Sequence, residues 1–340
     1  MIDLVVAGGG PAGLATAVHA ARAGLQTVVI EKRTGPIDKA CGEGLMPHAV
    51  RHLDALGAQP SGRALRGISY FDRGHAVTAP FAAGGGLGVR RTTLHAALLT
   101  EAERAGVKLV HAKAGPVTQD ADSVSVNGIR ARYLAAADGL HSPIRSALGL
   151  ELPASGPRRW GLKRHFAVAP WSDFVEVYWS DVPGAGEAYV TPVADDCVGI
   201  AILTSRRGGF DQHLDAFPAL RERLAGLAHE ADHAAGPLRQ RVRGRVAGRV
   251  LLVGDAAGYV DALTGEGLGL SFAAARLLVD CVTADRPADY EAQWRRATRR
   301  YRLITAAMLG VCTSPLRSFV VPAASGLPRV FAGVVNLIGD

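Results

Sequence analysis

The chain has 340 residues and a mass of 35.5 kDa, which at roughly 150 residues per domain corresponds to about two domains. Hydrophobic residues make up 48% and charged residues 20%, which excludes a disordered chain, and 41 glycines without a Gly-X-Y period exclude collagen. The formal charge is +7, with 33 arginines against 5 lysines, a skew that fits either a nucleic-acid surface or plain compositional bias. Cys41, Cys197, Cys281 and Cys312 are too scattered for a zinc site or a disulfide framework, so a reducing cytoplasm is expected. No charged region precedes the first apolar run, so no leader is expected. Leu303 to Cys312 and Val330 to Ile338 fall short of the ~20 apolar residues a spanning helix needs, and a soluble protein is expected.

Residues 2 to 7 form an apolar run that predicts a buried parallel strand. Gly8-Gly9-Gly10-Pro11-Ala12-Gly13 follows, then a helical pattern from Leu14 to about Ala23 closed by Gly24, then a strand from Gln26 to Ile30 ending in Glu31. Gly8 permits the tight turn, Gly10 lets backbone approach a pyrophosphate, and Gly13 lets the helix pack on the strand. The helix N-terminus offers free N–H groups to that pyrophosphate, and Glu31 can accept from ribose hydroxyls. A carboxylate there would repel a 2′-phosphate, so the dinucleotide is FAD or NAD.

Next comes the loop Lys39-Ala40-Cys41-Gly42-Glu43-Gly44-Leu45-Met46-Pro47. Gly84 to Gly88 is glycine-rich but lacks a following glycine and an acid partner, so it is no second fingerprint. Val89-Arg90-Arg91-Thr92-Thr93-Leu94 follows, and the segment from Arg132 to Arg145 reads as a strand ending in Asp138-Gly139 before a helix start. Trp160 to Leu203 alternates as antiparallel strands do. Arg239, Arg241, Arg243 and Arg245 read as one solvated strand face; without interleaved aromatics no nucleic acid is expected. Gly248 to Gly258 is a buried strand ending in Gly254-Asp255-Ala256-Ala257, and Leu263 to Leu270 opens a helix to about Asp280. The arginines 295 to 302 lie on a helix that runs into Leu303 to Cys312, and Pro315, Pro322 and Pro328 break what remains. Packing against the nucleotide-binding domain is expected of this tail, with a peripheral membrane contact as the alternative.

The glycine fingerprint, the Asp-Gly segment and the Gly-Asp segment together resemble the FAD-dependent family of aromatic hydroxylases and geranylgeranyl reductases, over roughly residues 1 to 285. The resemblance implies an α/β fold: a Rossmann-like FAD-binding domain, an antiparallel β-sheet substrate domain and a C-terminal helical tail. The expected boundaries are 1–157 and 245–285 for the FAD domain, 158–244 for the sheet (to which 65–88 could belong), and 286–340 for the tail. It implies that Asp138 lies near the pyrophosphate, that Asp255 bonds a ribityl hydroxyl, and that Gly265, Gly267 and Leu268 lie beside the isoalloxazine, where a helix start favours negative charge. Pro11, Ala12, Lys32, Cys41, Gly42, Arg91 and Gly254 join Gly8, Gly10, Gly13 and Glu31 as expected cofactor contacts. Asp261 departs from the family, whose hydroxylases carry proline there. NAD(P)H has no Rossmann domain of its own and is expected to dock transiently as reductant.

The Cys41 loop is similar to the Cys-Gly-x-Gly segment of the reductase branch and to a halogenase segment. Near the flavin, Cys41 would gate the site or donate a proton; a small buried thiol is the alternative. No lysine falls between Arg63 and Tyr70, so halogenation is not expected. By resemblance the middle sheet roofs the substrate pocket. Where the reductases carry Tyr-x-Trp-x-Phe-Pro, this chain has Glu187-Ala188-Tyr189-Val190-Thr191-Pro192, which favours an aromatic or polyketide-type substrate over a fully apolar one. His165, Glu187 and Tyr189 are candidates to orient or deprotonate a substrate hydroxyl, the alternative being solvent-facing or structurally bonded strand residues. The expected function is an NAD(P)H-dependent monooxygenase using O2 through a flavin C4a-hydroperoxide. The alternatives are a reductase of isoprenoid C=C bonds and a flavin-binding sensor without turnover.

Overall fold

The runs at residues 4–7, 28–30, 133–136 and 250–252 are buried on both faces, as strands of a helix-covered parallel sheet must be. In the computed structural model, which describes residues 1–82 and 84–339, they lie side by side. The parallel order is Val250–Leu252, Ile129–Ala136, Ile2–Ala7, Thr27–Glu31, Lys108–His111. Helices Pro11–Arg22, Arg91–Arg104 and Gly267–Thr283 pack beside one another to build the main core with the sheet.

Local chemistry fixes the first turn. Gly10 is extended, so Pro11 takes the first helical position, where its missing N–H costs nothing. The helix therefore starts three residues earlier than its apolar periodicity indicated. A Cβ at position 13 would lie 1.9 Å from the Gly8 carbonyl oxygen, and one at Gly8 (φ +109°) would lie 2.4 Å from that of Ala137. Only glycine lets strand, turn and helix approach so closely.

The second sheet has seven strands in the order His233–Ala235, Trp160–Ala167, Cys197–Thr204, Glu187–Ala194, Phe174–Trp179, Gly67–Asp72, His75–Pro80. Its one parallel pair joins Phe174–Trp179 to Gly67–Asp72. Between the two large sheets runs a ribbon of Gly44–Leu45, Gly86–Gly88 and Arg63–Leu65. The glycine-rich run at 84–88 finds its reason here: a Cβ at Gly88 would lie 1.9 Å from the Pro192 carbonyl oxygen.

Two segments differ from expectation. The tail packs on helix Gly267–Thr283 through helix Asp289–Cys312. Its last helices, Val320–Gly326 and Pro328–Gly339, lie instead on the outer strands Gly67–Asp72 and His75–Pro80, because Val321, Phe331 and Val335 find an apolar surface at Tyr70, Val77 and Val175. Arg245 is not solvated with Arg241 and Arg243. It is buried, hydrogen-bonded to Glu291 at 2.8 Å and stacked 3.6 Å from the Trp294 ring centroid, contacts that offset only part of its desolvation, since burial still pulls its pKa down to about 10.

Candidate active site

The cradle at the first turn is built from backbone. No side chain caps the helix that begins at Pro11, and a Cβ at Gly10 would point into open space. Those free N–H groups are the donors a pyrophosphate needs. Glu31 Oε2 accepts the Gly9 N–H at 2.8 Å, and Oε1 accepts from Arg33. Burial alone would raise the Glu31 pKa, but the hydrogen bonds from Arg33 and Gly9 hold it below the usual carboxylate range. His95 Nε2 donates to the Gly9 carbonyl at 2.8 Å and is kept neutral-leaning by burial. Sequence reasoning missed His95. Its signal was its place one turn after Arg91.

The other two FAD-type segments meet this turn. Asp138 follows the strand beside Ile2–Ala7; its Oδ2 accepts the Ile144 N–H at 3.1 Å while Oδ1 is buried without a partner among the described residues. Burial pushes its pKa up. Gly254 (φ +64°) abuts Ala12, where a Cβ would come within 2.7 Å, and Asp255 Oδ2 accepts from Lys39 Nζ at 3.3 Å. Gly265 (φ +71°) opens into free space, Leu268 is half-buried, and a Cβ at Gly267 would lie 3.2 Å from the Tyr259 ring. Arg145, wholly buried, links the Asp-Gly and Gly-Asp segments by donating to the Leu140 and Ala256 carbonyls. Lys32 is exposed and away from these contacts. An uncapped helix start, glycines facing open space, and the orphaned Asp138 Oδ1 and Arg91 Nε fit a group with phosphates and hydroxyls.

The Cys41 loop is pinned from three sides. Gly42 carbonyl accepts from Thr191 Oγ1 at 2.8 Å, tying the loop to the second sheet. Cys41 is half-buried, and its sulfur lies 3.5 Å from the Glu43 amide. Glu43 (φ +59°) turns its carboxylate inward: Oε1 accepts from the Arg91 N–H at 2.7 Å and Lys163 Nζ at 3.1 Å, and Oε2 lies 2.6 Å from His165 Nε2. Lys163 also reaches Asp38 at 2.7 Å, and His165 Nδ1 reaches Glu230 at 3.1 Å, itself paired with Arg90. His165 thus lies between an interior and a surface carboxylate. Glu43 was quoted but not singled out as a site residue; an acid between two glycines in a loop was its signal.

A second buried cluster explains two departures from the family pattern as one feature. Arg159 donates to Glu187 and, at 3.1 Å, to Asp261. Burial pushes the Asp261 carboxyl up to about 6 despite the guanidinium, while for Arg159 the two carboxylates outweigh burial and raise its pKa further. Tyr189 donates to the Leu263 carbonyl at 2.9 Å, and burial beside Glu187 carries its phenol well above the usual range. The structure therefore joins Cys41, Gly42, Arg91 and His165 through Glu43, and separately joins Glu187 and Tyr189 to the 261–263 turn. Glu187 Oε1 and the Tyr189 hydroxyl thus both have partners within the protein.

Residues 1–283 match the FAD binding domain family, and the chain belongs to it. It is a flavin-dependent oxidoreductase with an α/β fold and helical C-terminal region. Menaquinone reductase of Mycobacterium tuberculosis is 30% identical over 82% of this chain and 76% of its own. Digeranylgeranylglycerophospholipid reductase 1 of Methanothermobacter thermautotrophicus is 26% identical over 85% and 81%. The structure of the OxyS anhydrotetracycline hydroxylase from Streptomyces rimosus superposes with a TM-score of 0.76 at 24% identity, over 99% of this chain and 76% of that one, a likeness of fold.

Proposed function

We propose that this enzyme reduces an isoprenoid C=C bond carried on a lipid, with NAD(P)H as the transient reductant. The observation that carries the reading is the Cys41-Gly42-Glu43-Gly44 loop, whose half-buried thiol is fixed in place by Thr191 behind Gly42 and by Lys163, His165 and the Arg91 amide around Glu43. The similarity to a menaquinone reductase and a digeranylgeranylglycerophospholipid reductase supports it.

The residues that would hold FAD are the Gly8–Gly13 turn for the pyrophosphate, Glu31 for the ribose, Asp138 and Asp255 for hydroxyls, and the 265–268 turn for the ring. When bound, the flavin supplies a hydride. The chain supplies the rest. The roof sheet and the Cys41 loop exclude water and hold the alkene, and Cys41 Sγ delivers the proton to the second carbon. Glu43 orients the loop, and the His165–Glu230 pair links it to the surface.

A second reading, hydroxylation of an aromatic or polyketide-type molecule with O2, has one observation in its favour. The Arg159–Glu187–Asp261 cluster puts polar groups under the roof, with Asp261 poised near 6. Substrate-dependent NAD(P)H oxidation across prenylated quinones, prenylated glycerolipids and phenols separates the two. Turnover of a prenyl lipid without oxygen is expected; turnover of phenols only when oxygen is present would replace the first reading by the second.

A further inference from the structure

The chain contains 38 basic and 31 acidic residues, yet residues 292–339 hold seven arginines and no Asp or Glu. The other positions therefore balance at 31 of each sign, and the whole formal charge of +7 resides in this one segment. Compositional bias toward arginine does not produce that; bias would spread the excess along the chain.

The same segment carries the exposed apolar surface. Of ten large hydrophobic side chains exposed among the described residues, eight fall between Leu303 and Leu337. Phe319 is 65% exposed and Val330 63%. The geometry of the last helix, Pro328–Gly339, shows why this is more than scatter. Phe331 and Val335 face inward onto Tyr70 and its neighbours, while Leu327, just before the helix, and Val330, Val334 and Leu337 at helical spacing form a second apolar stripe that is 41–63% exposed. Upstream, Arg295, Arg296, Arg299, Arg300 and Arg302 line the exposed side of helix Asp289–Cys312, and its exposed side turns apolar from Leu303 onward.

We propose that residues 292–339 are a docking surface for an anionic lipid bilayer. Exposed aliphatic stripes next to an arginine-rich face, on which Arg295 pairs with Glu291 at 2.6 Å, match the two layers of such a surface: acyl chains for Leu316, Phe319 and Val330, and anionic headgroups for the arginines. A nucleic acid would meet the arginines but leave the aliphatic side chains in water. No single helix among the described residues is long and apolar enough to cross a membrane, and the contact proposed is with the bilayer surface. The proposal stands on charge and exposure alone and does not depend on the reaction proposed above.

The test is co-sedimentation of the purified FAD-loaded protein with vesicles of phosphatidylcholine alone or mixed with phosphatidylglycerol, at low and high salt. Binding only to the phosphatidylglycerol vesicles, weakened by salt, is expected. Leu316→Glu with Val330→Glu, and separately Arg296→Glu with Arg299→Glu, should each lower partitioning by about tenfold or more, with flavin content and flavin reduction by NAD(P)H unchanged. These side chains are exposed, so the substitutions do not disturb the core. Failure to bind either vesicle, equal binding to both that neither pair of substitutions weakens, or binding to duplex DNA in preference to vesicles would overturn the proposal. So would loss of a dimer, rather than of vesicle binding, on the Leu316 and Val330 changes.

Discussion

The two clusters of buried charge contain the same ingredients and end differently. From Glu43 the contacts run outward, through His165 to the half-exposed Glu230 and through Lys163 to Asp38. From Arg159 they stop at Glu187 and Asp261, and all three side chains are at most 5% exposed. A buried ionic group that touches the surface has a direct route for proton exchange; a sealed one has no such route and serves first to hold elements together. The first is therefore placed to serve the Cys41 loop. The second is a clamp that fixes the 261–263 turn ahead of the Gly265 loop.

The sharpest way to break this contrast is Arg159→Met. Two carboxylates would be left buried without a counter-charge, costing roughly 3–5 kcal/mol in chemical denaturation. Replacing all three with apolar residues (Arg159→Met, Glu187→Leu, Asp261→Leu) should recover most of that loss, since a whole buried ionic group exchanges for apolar packing at little net cost. A triple variant as unstable as the single one would show that the cluster is more than a clamp. Lys163→Met leaves Glu43 and Asp38 short of a partner and should cost somewhat less, about 2–4 kcal/mol, because Asp38 is partly hydrated. At the outer end, Glu230→Gln should cost under about 1 kcal/mol, as half-exposed pairs do.

The clusters should also respond to pH with opposite sign. Asp261 titrates at about 6 in the folded protein against an ordinary 3.8, so its contribution is complete below about 4 and is lost as pH rises through about 6. Asp38 and Glu230 are shifted the other way. Burial opposes the shift for both, but Lys163 and His233 hold Asp38 below its ordinary value, and Arg90 and His165 do so for Glu230. Their contribution is present above the ordinary carboxylate range and lost as pH falls through their folded values. Asp261→Asn should therefore flatten the fall in thermal midpoint between about pH 4 and 6, and leave the acid limb in place.

The nucleotide cradle was legible because its requirements are local. Gly8, Gly10, Gly13 and Glu31 belong to one strand–helix–strand unit, and the steric need for each glycine can be argued from the turn itself. The clusters were not, because they depend on how two sheets meet. Lys163 and His165, two residues apart on one strand, share a face, and that spacing was readable. Nothing nearby in sequence announces that the face meets Glu43 some 120 positions earlier. Asp261 and Glu187 looked like two unrelated departures until Arg159 joined them. Arg245 broke the expected solvated ladder for a similar reason: its partners, Glu291 and Trp294, lie on a helix that alternation along a strand cannot anticipate.

The central claim is that the Cys41 loop serves reduction of an alkene, with no oxygen atom entering the product. The direct measurement is the isotopic mass of the product made from a prenyl lipid by the FAD-loaded enzyme and NAD(P)H, in heavy water under oxygen-18 gas. The account predicts a product with the alkene saturated, deuterium on carbon and no oxygen-18, formed far more slowly by Cys41→Ala. A product carrying an oxygen-18 atom with its double bonds intact would contradict it.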